Sequence, residues 1–414
     1  MIRRWTPWRL PRCPIKSTAR ASTKPLHQWS TLRTSPKRAI AAQKKQAHQP
    51  PTLLGKRSLF TESLPPILIP PAIFVGLLVA LWTWKCFWIV VLQDKLLYLS
   101  WLPPLSRSES IADYAREFRG VEWTEKRIRS SDGTALAVCE GRFPASLRPG
   151  RSGETGLRDG LRKRVVICYF QGNGGSTPLR LPLLSQVMKA IQETSGSAGE
   201  DTEFILVALS YRGYWKSSGW ATQSGIEQDA QAFLSWVSEN YVQPDRDVSL
   251  VLWGHSLGAA VASSAVVKTL ARPAENKQPP IAGLILEAPI SSIKDMLISL
   301  YPQKWLPYRY LWPFSWNNWD VSSSLEQMAR YKTAAPSETD SSKRISVPPI
   351  FLMTAESDEV IPLWVADQLE EKAKASGLDI ERKSVKGAMH IEGPLKLDGR
   401  TALVDFMMNS SAGH

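Results

Sequence analysis

The sequence predicts an α/β protein with a mostly parallel sheet covered by helices on both faces, preceded by one transmembrane helix. Two observations support this expectation. From Val121 onward, short and nearly continuous apolar runs alternate with longer helical patterns, and strands buried on both faces of a parallel sheet have this composition. Ahead of them, residues 67–84 form a run of 18 residues without a charge, which begins a helix long enough to cross a bilayer.

Net charge separates the 414-residue chain into two parts. Residues 1–60 contain 14 of the 51 lysines and arginines and no acidic residue, whereas the other 37 are balanced by 38 acidic residues. The net charge of +13 therefore belongs to an N-terminal arm, and we expect no nucleic-acid partner for the folded part. Apolar residues at 43% exclude a chain disordered throughout. The four cysteines lack the spacing of a zinc site or of a disulfide-stapled miniprotein.

The arm, residues 1–62, has the composition of a mitochondrial targeting sequence. It is rich in Arg, Ser and Thr, and its first acidic residue is Glu62. Pro7, Pro11 and Pro14 interrupt the amphipathic helix that such sequences normally form. The alternative is a disordered basic tail that binds anionic lipid. Neither interpretation gives the arm a catalytic role.

Residues 67–92 form the predicted transmembrane helix. Pro70 and Pro71 suit its first turn, and Lys85 is close enough to its far end to reach the lipid headgroups. Three tryptophans suit the membrane interface: Trp82, Trp84 and Trp88. The alternative, a buried core helix, is disfavoured because nothing upstream can pack around it. The basic residues before the helix place the arm in the cytosol or matrix, and hence the domain in the endoplasmic reticulum lumen or the mitochondrial intermembrane space.

After a juxtamembrane segment at 93–120, the alternating patterns predict one domain over 121–414. Its predicted strands are 121–130, 135–143, 164–170, 204–210, 248–253, 281–286, 349–354 and 380–386. The first two flank Ser-Asp-Gly, a hairpin signal. The predicted helices are 179–193, 226–241, 257–270, 363–375 and 402–408, and surface loops are expected at 144–162, 195–202, 272–280 and 333–346. A cap insertion near 290–330 contains the segment 301–319, in which eight of nineteen residues are aromatic.

Residues 253–258 read Trp-Gly-His-Ser-Leu-Gly and lie between an apolar strand and an alanine-rich helix. A serine in so tight a strand-to-helix turn needs minimal side chains two positions before and after it, here Gly254 and Gly258. The helix N-terminus beneath it favours developing negative charge. Because the motif stands between a strand and a helix, we predict that Ser256 is a nucleophile.

A nucleophilic serine needs a general base, and four of the five histidines are unsuitable. His27 and His48 lie in the arm, His414 is the terminal residue, and His255 directly precedes the serine, where we expect a structural role. His390 remains. It lies in a glycine-containing loop after the last predicted strand.

The acid that orients this histidine should lie between the serine and the histidine in chain order. Asp358 follows the strand 349–354, at the edge where the parallel strands end, and is the predicted third member. Three glutamates are the alternatives: Glu287, Glu356 and Glu359.

An oxyanion formed beside the serine needs two main-chain N–H donors. Leu257 follows the serine and is expected to supply one. The other should come from the loop after the strand 164–170, which reads Gln-Gly-Asn-Gly-Gly and lets main chain approach a substrate closely. Asn173 is the candidate. A phosphate-binding loop is the alternative, and it is weaker because no Lys-Ser/Thr pair follows.

In their order along the chain, these motifs resemble those of the membrane-anchored α/β hydrolases that include the monoacylglycerol and lysophosphatidylserine lipases. The resemblance covers about residues 121–410 and rests on these residues: 171–175, 211–214, 254–258, 284–289, 358–362 and His390. It implies an α/β-hydrolase fold, with Ser256, Asp358 and His390 as catalytic residues and with main-chain donors at Asn173 and Leu257.

Two positions depart from the family pattern. Gln171 stands where the family usually has His, which leaves the main-chain donors intact but changes the wall of the acyl site. Trp215 follows Tyr-Arg-Gly-Tyr at a position usually held by a small residue, and we expect it to narrow the mouth of the site.

The sequence therefore predicts a serine hydrolase that cleaves carboxylic esters through an acyl-enzyme, with no metal or organic cofactor. An aromatic cap near a membrane anchor favours lipid esters, either lysophospholipids or monoacylglycerols. Four residues are expected to contact the substrate: Gln171, Trp215, Trp305 and Tyr308. The alternatives are an acyl-protein thioesterase or a peptidase and, in another class, an inactive membrane scaffold. The aromatic segment has its own alternative, a cap that is simply well packed over the sheet.

Overall fold

The computed structural model describes residues 65–144, 163–198, 202–243, 246–272, 279–333 and 346–412. The predicted arm at 1–62 lies outside these residues, as do most of the loops expected at 144–162, 272–280 and 333–346. Pro66–His414 forms one compact unit.

The centre of the protein is an eight-stranded sheet. Its strands are β1 Glu122–Arg129, β2 Ala135–Arg142, β3 Lys163–Phe170, β4 Thr202–Ser210, β5 Asp247–His255, β6 Ile281–Glu287, β7 Ile350–Ala355 and β8 Ile380–Val385. Their spatial order is β1-β2-β4-β3-β5-β6-β7-β8. The β1–β2 and β2–β4 pairs are antiparallel, and all others are parallel. The mostly parallel sheet predicted from the sequence is confirmed.

Nine α-helices lie within the described residues. They are α1 Ile69–Val91, α2 Gln93–Leu97, α3 Thr177–Ala198, α4 Gln223–Tyr241, α5 Leu257–Leu270, α6 Ile293–Leu300, α7 Val321–Thr333, α8 Leu363–Ala375 and α9 Leu397–Ala412. Apolar side chains of α4, α5, α7 and α8 pack on one face of the sheet, and those of α3 and α9 pack on the other. The central strands β3, β5 and β6 are buried along nearly their whole length and are mostly apolar, because both of their faces are covered.

Helix boundaries differ from the sequence predictions in a few places. The loop expected at 195–202 begins later, because α3 continues to Ala198. The last helix begins at Leu397 rather than at residue 402. Three helices were not predicted: α2, α6 and α7. The first two have only five and eight residues, too short for a clear period, and α7 is mostly polar.

The aromatic segment lies between α6 and α7 and contains two short 3₁₀ turns, Pro307–Tyr310 and Trp312–Phe314. We call residues 301–319 the aromatic cap. Upstream, Pro66–Val91 is long and apolar enough to cross a membrane, with a mean hydropathy of 2.1, and its most apolar stretch is not buried in the protein. By length and composition, α1 is therefore a candidate membrane span.

Candidate active site

Ser256 stands in the turn between β5 and α5, with φ 54° and ψ −115°. This is a region that residues other than glycine rarely adopt. Its N–H donates to the carbonyl oxygen of Glu287 at 2.8 Å, which ties the turn to the end of β6. A Cβ atom on Gly254 would overlap the carbonyl of Gly258, and one on Gly258 would overlap the carbonyl of Phe170. The turn can therefore form only with glycine on both sides of the serine.

Asp358 and His390 meet at the carboxyl edge of the sheet, after β7 and β8 respectively. The imidazole Nδ1 of His390 lies 2.9 Å from Oδ2 and 3.0 Å from Oδ1 of Asp358. The Asp358 side chain is only 4% exposed, and its Oδ1 also accepts hydrogen bonds from the amides of Val360 and Ile361, both at 2.8 Å. Burial opposes ionisation of Asp358, but the hydrogen bonds from His390 and Ile361 outweigh it and hold the pKa of this carboxyl below its usual range.

The three glutamates named as alternatives make other contacts. Glu359 accepts a hydrogen bond from the main-chain N–H of His390 at 3.0 Å, and Glu356 accepts one from the N–H of Gly387 at 2.8 Å. Glu287 accepts one from the indole N–H of Trp253, also at 2.8 Å. Two of these carboxylates thus hold the main chain of the loop that carries His390, while Asp358 contacts the imidazole itself.

His255 is buried directly before the serine and contacts the histidine loop. Its Nδ1 lies 2.8 Å from Nη2 of Arg180, and its Nε2 lies 3.3 Å from the carbonyl oxygen of His390. A guanidinium can only donate, so Nδ1 accepts and Nε2 carries the proton that it donates to that carbonyl. Burial, followed by the charge of Arg180, lowers the pKa of His255 well below its usual value. A neutral imidazole therefore links the serine turn to the His390 loop.

The loop predicted to hold the oxyanion packs against the same turn. A Cβ atom on Gly172 would overlap the ring of His255, so only glycine fits there. Leu257 is the first residue of α5, where a helical N–H has no acceptor in a preceding turn. Among the hydrogen bonds of the described residues, none uses the main-chain N–H of Asn173 or Leu257. Both donors are thus available at the carboxyl edge of the sheet.

Comparison with known proteins bears directly on this arrangement. Residues 177–395 match the model of the Alpha/beta hydrolase family. This chain belongs to the α/β hydrolase family. It is 28% identical to Protein bem46 of Schizosaccharomyces pombe over 199 residues. This matched region is 48% of this chain and 53% of that protein.

Two further relatives extend the comparison. The α/β hydrolase domain-containing protein WAV2 of Arabidopsis thaliana is 28% identical over 307 residues, 73% of this chain and 83% of the relative. The lysophosphatidylserine lipase ABHD12 of Danio rerio is 31% identical over 211 residues, 51% of this chain and 48% of the relative. The chain thus spans about half the length of the bem46 and ABHD12 relatives that it matches.

The residues expected to bind substrate in this α/β hydrolase make other contacts. The Gln171 side chain is 2% exposed and accepts a hydrogen bond from Thr177 at 2.8 Å. Trp215, expected at the mouth of the site, is 1% exposed and donates its indole N–H to the carbonyl of Glu109 at 2.8 Å. It is a buried residue of the apolar cluster beneath α3. Trp215 therefore does not narrow an open mouth, because it is buried within this cluster.

The two aromatic residues predicted from the cap contact α1. The ring of Trp305 lies 6.0 Å from that of Trp82, and Lys85 Nζ lies 4.4 Å from the centre of the Tyr308 ring. Trp305 is exposed, whereas Tyr308 is buried. These contacts join the cap to the candidate membrane span. The aromatic side chains of the cap therefore pack at least partly against α1.

Sequence reasoning missed two side chains that support the site of this α/β hydrolase. Arg180 fixes the tautomer of His255 from the first turns of α3, and the side chain of Asn173 anchors the candidate oxyanion loop. A lone arginine in the apolar run Leu-Arg-Leu-Pro-Leu-Leu was a weak signal for the first. Nothing in the sequence indicated the second, because its partners lie between 41 and 76 residues away.

Proposed function

We propose that this protein is a membrane-anchored serine hydrolase that cleaves carboxylic esters of lipids through an acyl-enzyme on Ser256. The observation that carries the proposal is the contact between His390 Nδ1 and Asp358 at 2.9 Å, beside the glycine-flanked turn of Ser256. A nucleophile in a strained turn, an imidazole and a buried carboxylate are the groups that acyl transfer requires.

In the proposed reaction, the Ser256 oxygen attacks the ester carbonyl while Nε2 of His390 takes its proton. Asp358 accepts the Nδ1–H bond and stabilises the imidazolium. The amides of Asn173 and Leu257 hold the negative oxygen of the tetrahedral intermediate. The bond to the leaving alcohol then breaks, and the alcohol takes the proton from His390. A water molecule repeats the sequence on the acyl-enzyme, so that a free carboxylic acid leaves and the serine is restored.

The proposed substrates are lysophospholipids or monoacylglycerols. Two observations support this choice. The candidate span α1 packs against the aromatic cap through Trp82 and Lys85, so esters that reside in a bilayer lie close to the domain. One of the relatives is a lysophosphatidylserine lipase. A panel of lipid esters, acyl-protein thioesters and peptides measures this preference, and we expect the highest kcat/KM for single-chain lipid esters.

The test is covalent labelling of the full-length protein by a fluorophosphonate probe, beside turnover of a lysophospholipid. We expect Ser256→Ala to lose both, because the attacking oxygen is removed. Asp358→Asn should lower kcat on the order of a thousandfold or more, since an amide favours the wrong imidazole tautomer.

Glu359→Gln is the matched control for Asp358→Asn. An amide oxygen at that position can still accept the His390 main-chain N–H, so we expect activity within a few-fold of wild type. Labelling of Ser256→Ala at the wild-type level would overturn the proposed function.

A further inference from the structure

Residues 93–102, which we call the strut, follow α1 and run between two parts of the domain. The first half of the strut is α2, and the second half is extended chain and turns. On one side lies the aromatic cap, and on the other lies the 171–175 loop that carries the candidate oxyanion donor Asn173. The contacts on the two sides determine what this connection does.

The strut is attached to the cap by hydrogen bonds of the Asp94 carboxylate and of the buried Tyr98 hydroxyl. Asp94 accepts from the side-chain amide of Asn317 at 2.7 Å and from the indole of Trp316 at 3.1 Å. Tyr98 is 2% exposed. Its hydroxyl donates to Asn317 at 2.7 Å and accepts from the indole of Trp319 at 2.8 Å. Because Tyr98 is fixed by donors and acceptors that are themselves buried, the strut has a defined position.

The Asn173 side chain attaches the opposite side of the strut to the loop. Its Oδ1 accepts from the main-chain N–H of Leu99 at 2.8 Å and from the hydroxyl of Tyr214 at 3.0 Å. Its Nδ2 donates to the carbonyl of Leu97. The amide side chain thus pairs with both a donor and an acceptor of the strut, much as a neighbouring strand would.

The loop depends on such attachment because of its composition. Gly174 and Gly175 adopt φ values of 75° and 74°, a conformation that glycine leaves easily because it has no Cβ atom. The N–H of Gly175 donates to the carbonyl of Leu102 at 2.6 Å, which adds a second attachment to the strut. Within the described residues, the strut is therefore a main source of order for the loop.

We infer that the Asn173 side chain is a positioning group for the candidate oxyanion donor on its own main chain. The strut that leaves α1 is then part of the active site and not a passive linker. The inference rests on the proposed function, because it concerns the geometry of the oxyanion donor. A donor that is held in place before reaction costs no reorganisation in the transition state, and a small displacement of such a group slows the chemistry strongly.

The test is Asn173→Ala in the full-length protein, which keeps the main-chain N–H and removes the attachment. We expect kcat and the rate constant of fluorophosphonate labelling to fall on the order of tenfold to a hundredfold, with KM within about twofold. Tyr214→Phe removes one of the three bonds and should have a smaller effect in the same direction. Adding Tyr214→Phe to Asn173→Ala should cost less than the sum of the two single effects, because both changes remove the bond between these side chains.

Asn240→Ala is the matched control, since Asn240 is exposed on α4 and its side chain bonds the carbonyl of Trp236 in its own helix. We expect wild-type kinetics for it. A role in stability alone would lower the melting temperature and the labelled fraction but leave the rate constant of the folded protein unchanged. If Ser256→Ala is inactive while folded Asn173→Ala and Tyr214→Phe label at the wild-type rate, the inference fails and the proposed function stands. If Ser256→Ala is labelled like the wild type, the proposed function itself fails.

Discussion

At the scale of single residues, Ser256 combines reactivity with backbone strain. A positive φ at a residue other than glycine costs on the order of 1–3 kcal/mol and persists only where the surroundings enforce it. Here the enforcement comes from the hydrogen bond to the Glu287 carbonyl and from Gly254 and Gly258, which admit close main-chain contact. The strain places the hydroxyl at the edge of the sheet, where the Asp358–His390 pair also lies.

Glu287 lies behind this turn and makes stability depend on pH. Burial raises the pKa of Glu287 to about 7 from the ordinary value of 4.5, although the charge of Arg180 and the indole of Trp253 favour ionisation. A carboxyl whose pKa is higher in the folded protein stabilises the fold fully below pH 4.5 and loses this contribution as the pH rises through 7. We expect the free energy of unfolding of the wild type to fall by roughly 3 kcal/mol, relative to Glu287→Gln, between pH 4 and pH 8.

Denaturant unfolding of both proteins at several pH values measures this difference. The Gln variant keeps an acceptor for Trp253 and does not titrate at this position. The difference between the two stability curves therefore isolates Glu287, because every other titrating group is present in both proteins. Parallel stability curves for the two proteins would show that Glu287 has an ordinary pKa.

The candidate catalytic residues were accessible to sequence reasoning because each has a local signal. Ser256 lies between a strand and a helix, Asp358 follows a strand end, and His390 is left after four histidines are excluded. Arg180 and the Asn173 side chain were not accessible. Their roles depend on contacts with residues distant in the chain, and an arginine or an asparagine in a loop or helix carries no signal for its tertiary partner.

At the scale of elements, strands were predicted more accurately than helices. All eight strands have bounds within two residues of the predicted ones. For the central parallel strands, the reason is that a sheet covered on both faces leaves a nearly continuous apolar run in the sequence. Helix α7 was missed although Val321, Leu325 and Met328 form its buried side. Their spacing fits one helical face, but the remaining residues are mostly Ser, Lys and other polar types that also occur in loops.

The contact between the β5–α5 turn and the end of β3 allows a test at this scale. In Gly258→Ala, the added methyl group would overlap the Phe170 carbonyl, which belongs to a central strand and cannot move aside. We expect the free energy of unfolding to fall by about 3 kcal/mol or more, together with loss of probe labelling. Thermal and denaturant unfolding measure the first effect.

Ser264→Ala is the control for this substitution, because it adds no atoms and lies in the same helix. It should change stability by no more than about 0.5 kcal/mol. A stable and active Gly258→Ala protein would mean that the turn and β3 are further apart than the structure has them.

At the scale of the whole molecule, charge and apolar surface are segregated along the chain. The basic arm precedes α1, and the rest of the chain carries nearly balanced charge. Aromatic residues of the cap lie beside α1. Composition places the start of the domain at residue 121, but the contacts of the strut show that residues before 121 pack as part of the same domain. Residues 93–102 lie within the same compact unit as the sheet and bond both the cap and the 171–175 loop.

This segregation also predicts how the protein is oriented if α1 spans a membrane. Fourteen basic residues and one acidic residue, Glu62, precede the span, whereas the residues after it are balanced, so we expect the arm to stay in the cytosol or matrix. We expect the domain to resist protease added to sealed organelles and to be digested once detergent is present. Glycosylation of the exposed Asn409, in the sequence Asn-Ser-Ser near the end of α9, would distinguish the endoplasmic reticulum lumen from the intermembrane space. In the endoplasmic reticulum lumen it can carry a glycan, seen as a mass shift on deglycosylation that Asn409→Gln lacks, whereas the intermembrane space gives no shift. Digestion of the domain in intact organelles from the cytosolic side would reverse the proposed orientation.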